Sequence, residues 1–176
     1  MAEPGLKDRL QPALLDRLTD EEPQNKLESR EKRVITPAQM RKFVMRDLGW
    51  LLDAVHLAAT ENLADYPLVA RSVLNYGIPG FAGASVEEMG GSAAEAVREA
   101  ILRFEPRLLA NKLHVELIQD NMRDDTQNTI TIGVEAEVFA QPIPQALFLK
   151  TEVDLEVGSV RVAELSQPLH VQTRRR

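Results

Sequence analysis

The sequence predicts an α+β domain in which N-terminal helices pack on an antiparallel sheet of about four strands. Apolar residues recur every three or four positions between residues 36 and 108, and every second position after residue 112. The first spacing is typical of amphipathic helices and the second of half-buried strands. With 176 residues, 44% of them hydrophobic, the chain is long enough to bury one substantial core.

Three zones are predicted along the chain. Residues 1–33 form an N-terminal arm and charged linker, in which one apolar helical turn, PALLDRL, precedes the segment TDEEPQNKLESREKR. That segment is too rich in charge to be buried. Residues 34–166 form the α+β domain, and residues 167–176 are predicted to be a flexible C-terminal tail that ends in three arginines.

The main core helix is predicted to begin at Thr36, where Pro37 suits the first helical position and Gln39 can complete a capping box. Its apolar face is assigned to Met40, Val44, Leu48, Leu51, Leu52, Val55 and Ala59. Trp50 is also assigned to the core, together with Leu51 and Leu52. A shorter helix is predicted from Asp65 to a stop at Gly77, followed by a loop rich in glycine and proline up to Gly83.

A further helix is predicted where Ser92 and Glu95 form a second capping box. We expect it to end at Phe104-Glu105, because Pro106 removes a backbone donor and crowds the preceding turn. Strands are predicted around Leu113–Leu117, Ile130–Val138 and Leu147–Leu155, and a two-residue turn at Gly158-Ser159 leads into the last strand. Five acidic residues fall on the solvent face of these strands: Glu135, Glu137, Glu152, Asp154 and Glu156.

The negative charge of the chain is concentrated in the predicted sheet. Residues 112–157 hold nine acids and three bases, a net charge of −6, whereas the remaining residues hold eighteen of each. Such a surface repels phosphate backbones, so nucleic acid is not expected as a partner and a basic protein surface is favoured. The longest apolar stretch, LGWLLDAVHLAA, is much shorter than the roughly 20 residues of a membrane span, so no membrane insertion is expected.

The residues favour a protein without catalytic or cofactor chemistry. There is no cysteine, which excludes thiolate catalysis and fits a reducing compartment. His56, His114 and His170 show no metal-ligand spacing, so neither a metal nor a cofactor is expected. No phosphate-binding loop or nucleophile motif is present, and the abundant carboxylates are those of a solvated sheet face.

Four segments resemble the TssE family of type VI secretion baseplate proteins, which is homologous to the wedge protein of contractile-phage baseplates. They are LLDRLTDEEP at 14–23, RDLGWLLDA at 46–54, YPLVARSVLNYGIPGFAG at 66–83 and FEPRL at 104–108. The segments occur in the order of the family. The alternating strands after residue 112 fit the fold that this resemblance implies.

The resemblance implies a structural subunit of a cytoplasmic baseplate, associated with a secretion complex that is anchored in the inner membrane. The implied partners are the wedge proteins TssF and TssG, TssK, the sheath subunits TssB and TssC, and the spike VgrG. The sheet would be offered to the first ring of sheath subunits. The resemblance implies no enzymatic activity and no cofactor.

The resemblance also assigns Glu105, Pro106 and Arg107 to the contact with the helical core of the wedge. From the residues alone, an arginine just after a proline is better explained as an internal cap or salt bridge, and it is the resemblance that favours the wedge contact. Arg41, Lys42 and Arg46 form a second candidate surface, a basic patch on the main helix, for which a solvated basic face is the alternative.

Two other functions remain open at the level of the sequence. The phage relatives have been labelled lysozymes, so a peptidoglycan hydrolase is the enzymatic alternative, which a zymogram would detect. A small acidic adaptor unconnected with secretion is the other alternative. Co-purification with wedge and sheath proteins would distinguish that adaptor from a baseplate subunit.

Overall fold

The computed structural model describes residues 12–19, 23–24, 35–118, 128–139 and 144–168, and for residues 86–91 only the backbone. Most of the predicted charged linker, the end of the predicted tail and His170 lie outside these residues. The helices are α1 (Leu14–Leu18), α2 (Pro37–Asp53), α3 (Pro67–Ala70) and α4 (Val86–Phe104). The strands are β1 (His114–Ile118), β2 (Thr129–Val138), β3 (Gln145–Asp154) and β4 (Val160–Glu164).

The four strands form one antiparallel sheet in the order β1-β2-β3-β4, which confirms the predicted α+β class. Alternate residues of β3 are buried, whereas in β2 residues 130–134 are all buried and alternation begins after them; the acids of both strands are partly exposed. The buried face packs against α2 and α4, whose core positions are Met40, Val44, Leu48, Leu51, Leu52, Ala93, Val97, Ala100 and Ile101. The strands, whose apolar residues recur at every second position, and the helices, whose apolar residues recur every three or four positions, therefore share one core.

Helix α2 begins as predicted but ends earlier. The Gln39 amide donates to Thr36 Oγ1 at 3.2 Å and the Thr36 amide donates to Gln39 Oε1 at 2.9 Å, which is the predicted capping box. The helix ends at Asp53, because the next residues leave it to pair with Ile78: the Ile78 amide donates to the Ala54 carbonyl at 2.9 Å. Val55 and Ala59 therefore lie outside the helix and are exposed, contrary to the prediction.

The assignment of Trp50 to the core is wrong. Its side chain is 54% exposed, whereas Leu51 and Leu52 are buried. At about 100° per residue, Trp50 lies about 200° around the helix from Leu48, on the face opposite the core. The sequence contained this information, because the stripe through Leu48, Leu51 and Leu52 excludes position 50.

Three further boundaries differ from the prediction. The helix that starts at Pro67 ends at Ala70, and a 3-10 turn follows at Val73–Asn75. Helix α4 begins at Val86, so Ser92 lies inside the helix and does not cap it. It ends at Phe104 as predicted. Five residues, 155–159, connect β3 to β4 in place of the predicted two-residue turn, with Gly158 at a φ of 77°.

Candidate functional site

Five charged side chains from three separate parts of the chain meet beside the end of α4. We call them the Arg107 cluster: Asp16 from α1, Arg46 and Asp47 from α2, and Glu105 and Arg107 from the turn after α4. The turn is fixed by the sheet, because the Phe139 amide donates to the Arg107 carbonyl at 2.7 Å and the Leu109 amide donates to the Glu137 carbonyl at 2.9 Å. The turn therefore joins α4 to the end of β2.

Arg107 is the centre of the cluster and is bonded within the chain. Its Nε donates to Glu105 Oε1 at 2.7 Å, and its Nη2 donates to Glu105 Oε2 and to Asp47 Oδ2. Burial by itself lowers the pKa of the Arg107 guanidinium, but Glu105 and then Asp47 outweigh burial and raise the pKa above its usual value. Both carboxylates therefore hold Arg107 firmly in its charged form.

Glu105 is the most deeply placed residue of the predicted Glu-Pro-Arg site. It is 4% exposed and accepts hydrogen bonds from both the backbone amide and the side chain of Arg107. An unpaired carboxylate at this depth is strongly destabilising, so Glu105 needs the arginine beside it. Pro106 is exposed between them.

One donor of Arg107 has no hydrogen-bond partner within the part of the chain that the structure describes. Its Nη1 is buried, and Asp16 Oδ2 lies 3.8 Å away, beyond hydrogen-bond distance. Asp16 is bonded elsewhere: its Oδ1 accepts from Arg46 Nη2 at 2.7 Å and its Oδ2 accepts from the Ala13 amide at 3.2 Å. Its side chain is completely buried.

Arg46 links the cluster to the exposed aromatic side of α2. Its guanidinium donates to Asp47 Oδ1 and lies 4.9 Å from the centre of the Trp50 ring and 5.5 Å from that of Phe43. Burial lowers the pKa of Arg46, but its bonds to Asp47 and Asp16 outweigh burial and raise the pKa overall. Arg46 is thus an internal cation of the cluster.

The three residues of the predicted basic patch lie in different surroundings. Arg41 forms an ion pair with Glu164 at the end of β4, Lys42 is exposed, and Arg46 is neutralised by Asp16 and Asp47. Residues 41 and 46 are about 140° apart around a helix, so they face different neighbours. The structure does not bring the three residues together in one basic surface.

The sequence analysis missed Asp16 and Asp47 as partners of Arg107. Each of the four family-like segments contributes to this place: the first supplies Asp16, the second Arg46 and Asp47, and the last Glu105 and Arg107. The third supplies Tyr76, whose hydroxyl donates to the Asp47 carbonyl at 3.5 Å and whose ring packs edge-on against Phe104. The polar residues within the four family-like segments were the signal in the sequence that could have indicated these partners of Arg107.

The two described histidines, His56 and His114, take no part in the Arg107 cluster. Among the described residues, no group of His, Cys, Asp or Glu side chains is arranged to hold a metal ion. His114 lies on the exposed sheet face, 3.4 Å from Glu116, and His56 is partly buried after α2. In the described part of the chain, no helix is long and apolar enough to cross a membrane.

Comparison with known families decides what kind of domain carries this cluster. The family described as baseplate wedge protein gp25 matches residues 38–143, which is 106 of the 176 residues. The chain belongs to the gp25 baseplate wedge family. The matched region of this gp25-family chain includes α2 from its second residue onward, α4 and the Glu105–Arg107 turn, whereas Asp16 precedes it. Searches of curated proteins and of solved structures gave no match.

Membership of the gp25 family gives a structural role in a baseplate and contact with other baseplate components. The predicted resemblance to this family is therefore confirmed. The family is one of structural baseplate proteins. Within this gp25-family domain, the Arg107 cluster is the largest convergence of charged side chains among the ion pairs of the described residues.

Proposed function

We propose that this gp25-family chain is a structural subunit of a type VI secretion baseplate, which joins the wedge complex and docks the contractile sheath. The observation that carries the proposal is the meeting of the four TssE-like segments at the Arg107 cluster. Segments separated by up to about 90 positions share one place in the fold, as expected for a surface that one partner covers.

The wedge contact is assigned to Glu105, Pro106 and Arg107, with TssF and TssG as partners. Arg107 binds two acids of its own chain, which supports a role in fixing the shape of this turn. The buried Nη1 atom, which lacks a hydrogen-bond partner among the described residues, supplies the additional donor that an acceptor of the wedge core would use after a small rearrangement. Pro106 is the exposed residue at the contact.

The sheath contact is assigned to the outer edge of β4. The Leu165 amide donates to the Phe148 carbonyl and the Asp154 amide donates to the Ser159 carbonyl, which sets the alternation of the β3–β4 ladder. By that alternation the backbone amide and carbonyl groups of Arg161 and Ala163 bond to β3. The backbone amide and carbonyl groups of Val160, Val162 and Glu164 point away from β3, toward the outer edge. The Val160 amide donates to Asp53 Oδ1 at 3.1 Å, so Val162 and Glu164 offer the accessible backbone groups.

The carbonyl and amide groups of Val162 and Glu164 have no hydrogen-bond partner among the described residues. An extended strand of a sheath subunit, TssB or TssC, would pair with this edge by strand addition. The acidic outer face of the sheet, which includes Glu152 and Asp154, favours a basic partner surface. Arg161 is unsuitable for testing the edge, because its amide belongs to the internal ladder.

Proline at position 162 tests the strand-addition contact. Val162→Pro removes an outward donor and leaves the β3–β4 ladder in place, so sheath assembly should fail while the melting temperature changes little. Arg161→Pro is the matched control, because it removes an internal ladder bond and should lower the melting temperature. Normal sheath assembly by a folded Val162→Pro protein would contradict this docking mode.

The remaining partners follow from the same assignment. TssK and the spike VgrG would be neighbours in the assembled baseplate, on the cytoplasmic side of a complex anchored in the inner membrane. A pull-down from a secreting strain tests this whole set: recovery of TssF and TssG, with TssK, VgrG, TssB and TssC in larger assemblies, is expected. Recovery of none of them would contradict the type VI assignment and leave the gp25 family membership intact.

A further inference from the structure

Helix α1 lies with the side chain of Asp16 inward and its leucines outward, while Arg17 is exposed. Leu14, Leu15 and Leu18 are 67%, 46% and 72% exposed as whole residues, whereas the side chain of Asp16 is completely buried. A helix that packs for its own stability buries the apolar side. The inverted orientation leaves three leucines on a surface that nothing among the described residues covers.

The attachment of α1 depends on Asp16. Within α1, all of which is described, no residue is buried as a whole, and five residues are too few for a stable isolated helix. Asp16 accepts from the Ala13 amide at the start of the helix and from Arg46 on α2. The Arg107 cluster therefore holds the helix in place through one carboxylate and two arginines.

Trp50 is a second exposed apolar residue beside the cluster. The guanidinium of Arg46 bonds Asp16 on one side and lies 4.9 Å from the Trp50 ring on the other. Trp50 is 54% exposed, and its large apolar ring is typical of interface anchors. The same arginine thus connects both exposed apolar features to the proposed wedge contact.

The charged groups beneath this surface are bonded to one another: three carboxylates pair with two guanidinium groups, which leaves a net charge of −1. Asp16 is paired with Arg46, and Asp47 and Glu105 are paired with Arg107. A partner that covers the surface therefore finds apolar side chains and bonded charges. That composition fits an apolar groove between helices, into which a short leucine-faced helix is laid.

We infer that Leu14, Leu15, Leu18 and Trp50 form a docking surface for an apolar groove of the TssF–TssG wedge complex. Asp16 is the positioning residue that holds the leucines in place. The inference rests on the proposed function, since continuity with the Arg107 cluster identifies the occupant. It adds these apolar residues to the contact proposed for Glu105, Pro106 and Arg107, and it gives Asp16 and Arg46 the role of holding α1 against α2.

The test compares three variants with the parent for affinity to purified TssF–TssG complex. Leu14→Ser/Leu18→Ser removes two exposed leucines, and Asp16→Asn keeps the size of the side chain but removes its charge. Leu68→Ser is the matched control, because Leu68 is 84% exposed on α3. The double leucine variant and Asp16→Asn should each bind at least about tenfold more weakly, a loss of about 1.4 kcal/mol, while Leu68→Ser stays within about twofold.

Two further readouts separate positioning from contact. Amide hydrogen exchange in residues 13–19 should become faster in Asp16→Asn and stay unchanged in the double leucine variant. Since the chain has one tryptophan, 5-fluorotryptophan places a single 19F label at position 50, and its signal should shift when the wedge complex binds. An unshifted signal would contradict the assignment of Trp50 to the interface.

The outcomes distinguish this inference from the proposed function. A parent protein that does not bind TssF–TssG overturns both. A parent that binds, with a double leucine variant that binds equally well, overturns only the docking surface, as does an equal loss in Leu68→Ser. If the leucine changes abolish self-association in sedimentation and leave wedge affinity unchanged, the surface belongs to a second copy of the chain and the inference is wrong.

Discussion

Replacing Arg107 with alanine removes the counter-charge of a carboxylate that water cannot reach. Glu105 is 4% exposed, and Arg107 is its ion-pair partner among the described residues. Removing one partner of a buried ion pair costs about 3–5 kcal/mol. The Arg107 side chain is 18% exposed, so water offsets part of the loss and about 3 kcal/mol is expected. At about 2–4 °C per kcal/mol for this size, Tm should fall by about 6–12 °C.

The assay is thermal and urea unfolding of the parent and three variants, followed by circular dichroism. Arg107→Lys should lie between parent and Arg107→Ala, because lysine keeps the charge but lacks the planar fork that binds Glu105 at two points. Glu105→Gln/Arg107→Ala should be at least about 1 kcal/mol more stable than Arg107→Ala, because a neutral amide needs no counter-charge.

Two results would refute this reasoning. Either Arg107→Ala melts within about 2 °C of the parent, or the added Glu105→Gln change lowers stability further. Wedge affinity measured on the same proteins separates the two proposed roles of Arg107. A wedge affinity weakened by about 30- to 1000-fold in the folded fraction supports an interface role, corresponding to about 2–4 kcal/mol. A lowered Tm with intact wedge binding assigns Arg107 to the fold alone.

Two further predictions concern the loop after α3 and the tyrosine beside the cluster. Gly77→Ala should lower the free energy of unfolding, measured with urea, by well over 2 kcal/mol, because Gly77 has a φ of 119° and a Cβ there would lie 2.2 Å from the Ala54 carbonyl oxygen. Gly83→Ala is the control: its Cβ meets open space, so it should lower the free energy of unfolding by only about 1 kcal/mol. Burial and, to a smaller extent, the charges of Asp47 and Glu105 raise the pKa of Tyr76 above its usual value of 10.0. The neutral Tyr76 side chain therefore contributes to the stability of the fold below about pH 10, and this contribution is lost as pH rises through the pKa of Tyr76 in the folded protein. In Tyr66→Phe, whose one tyrosine is Tyr76, absorbance at 295 nm should titrate with a midpoint above 10, and a midpoint at or below 10 would contradict this.

Most of the secondary structure followed from local patterns. The capping residues Thr36 and Gln39 marked the start of α2, Pro106 marked the end of α4, and the alternation of apolar residues marked the strands β2 and β3. These signals depend on neighbours within a few residues, so the sequence carries them directly. The outward position of Trp50 also followed from the helical period and was misassigned.

Boundaries set by distant residues could not be predicted in this way. Helix α2 ends at Asp53 because Ala54 and His56 bond to Ile78, more than twenty positions further along the chain. The choice of Val162 over Arg161 as an outward-facing backbone position required the hydrogen bonds at both ends of the β3–β4 ladder. In both cases the deciding partner is remote in sequence.

The sequence alone was sufficient for the α+β class and for the family to which the chain belongs, and it singled out Glu105 and Arg107 as candidate site residues. Only the tertiary structure brought Asp16 and Asp47 to Arg107, from positions 91 and 60 residues earlier in the chain. It also turned the leucines of α1 outward, against the rule that apolar residues are buried. The physical reason is that a buried carboxylate needs cations close by, and the packing of α2 against α4 determines where Arg46 and Arg107 stand.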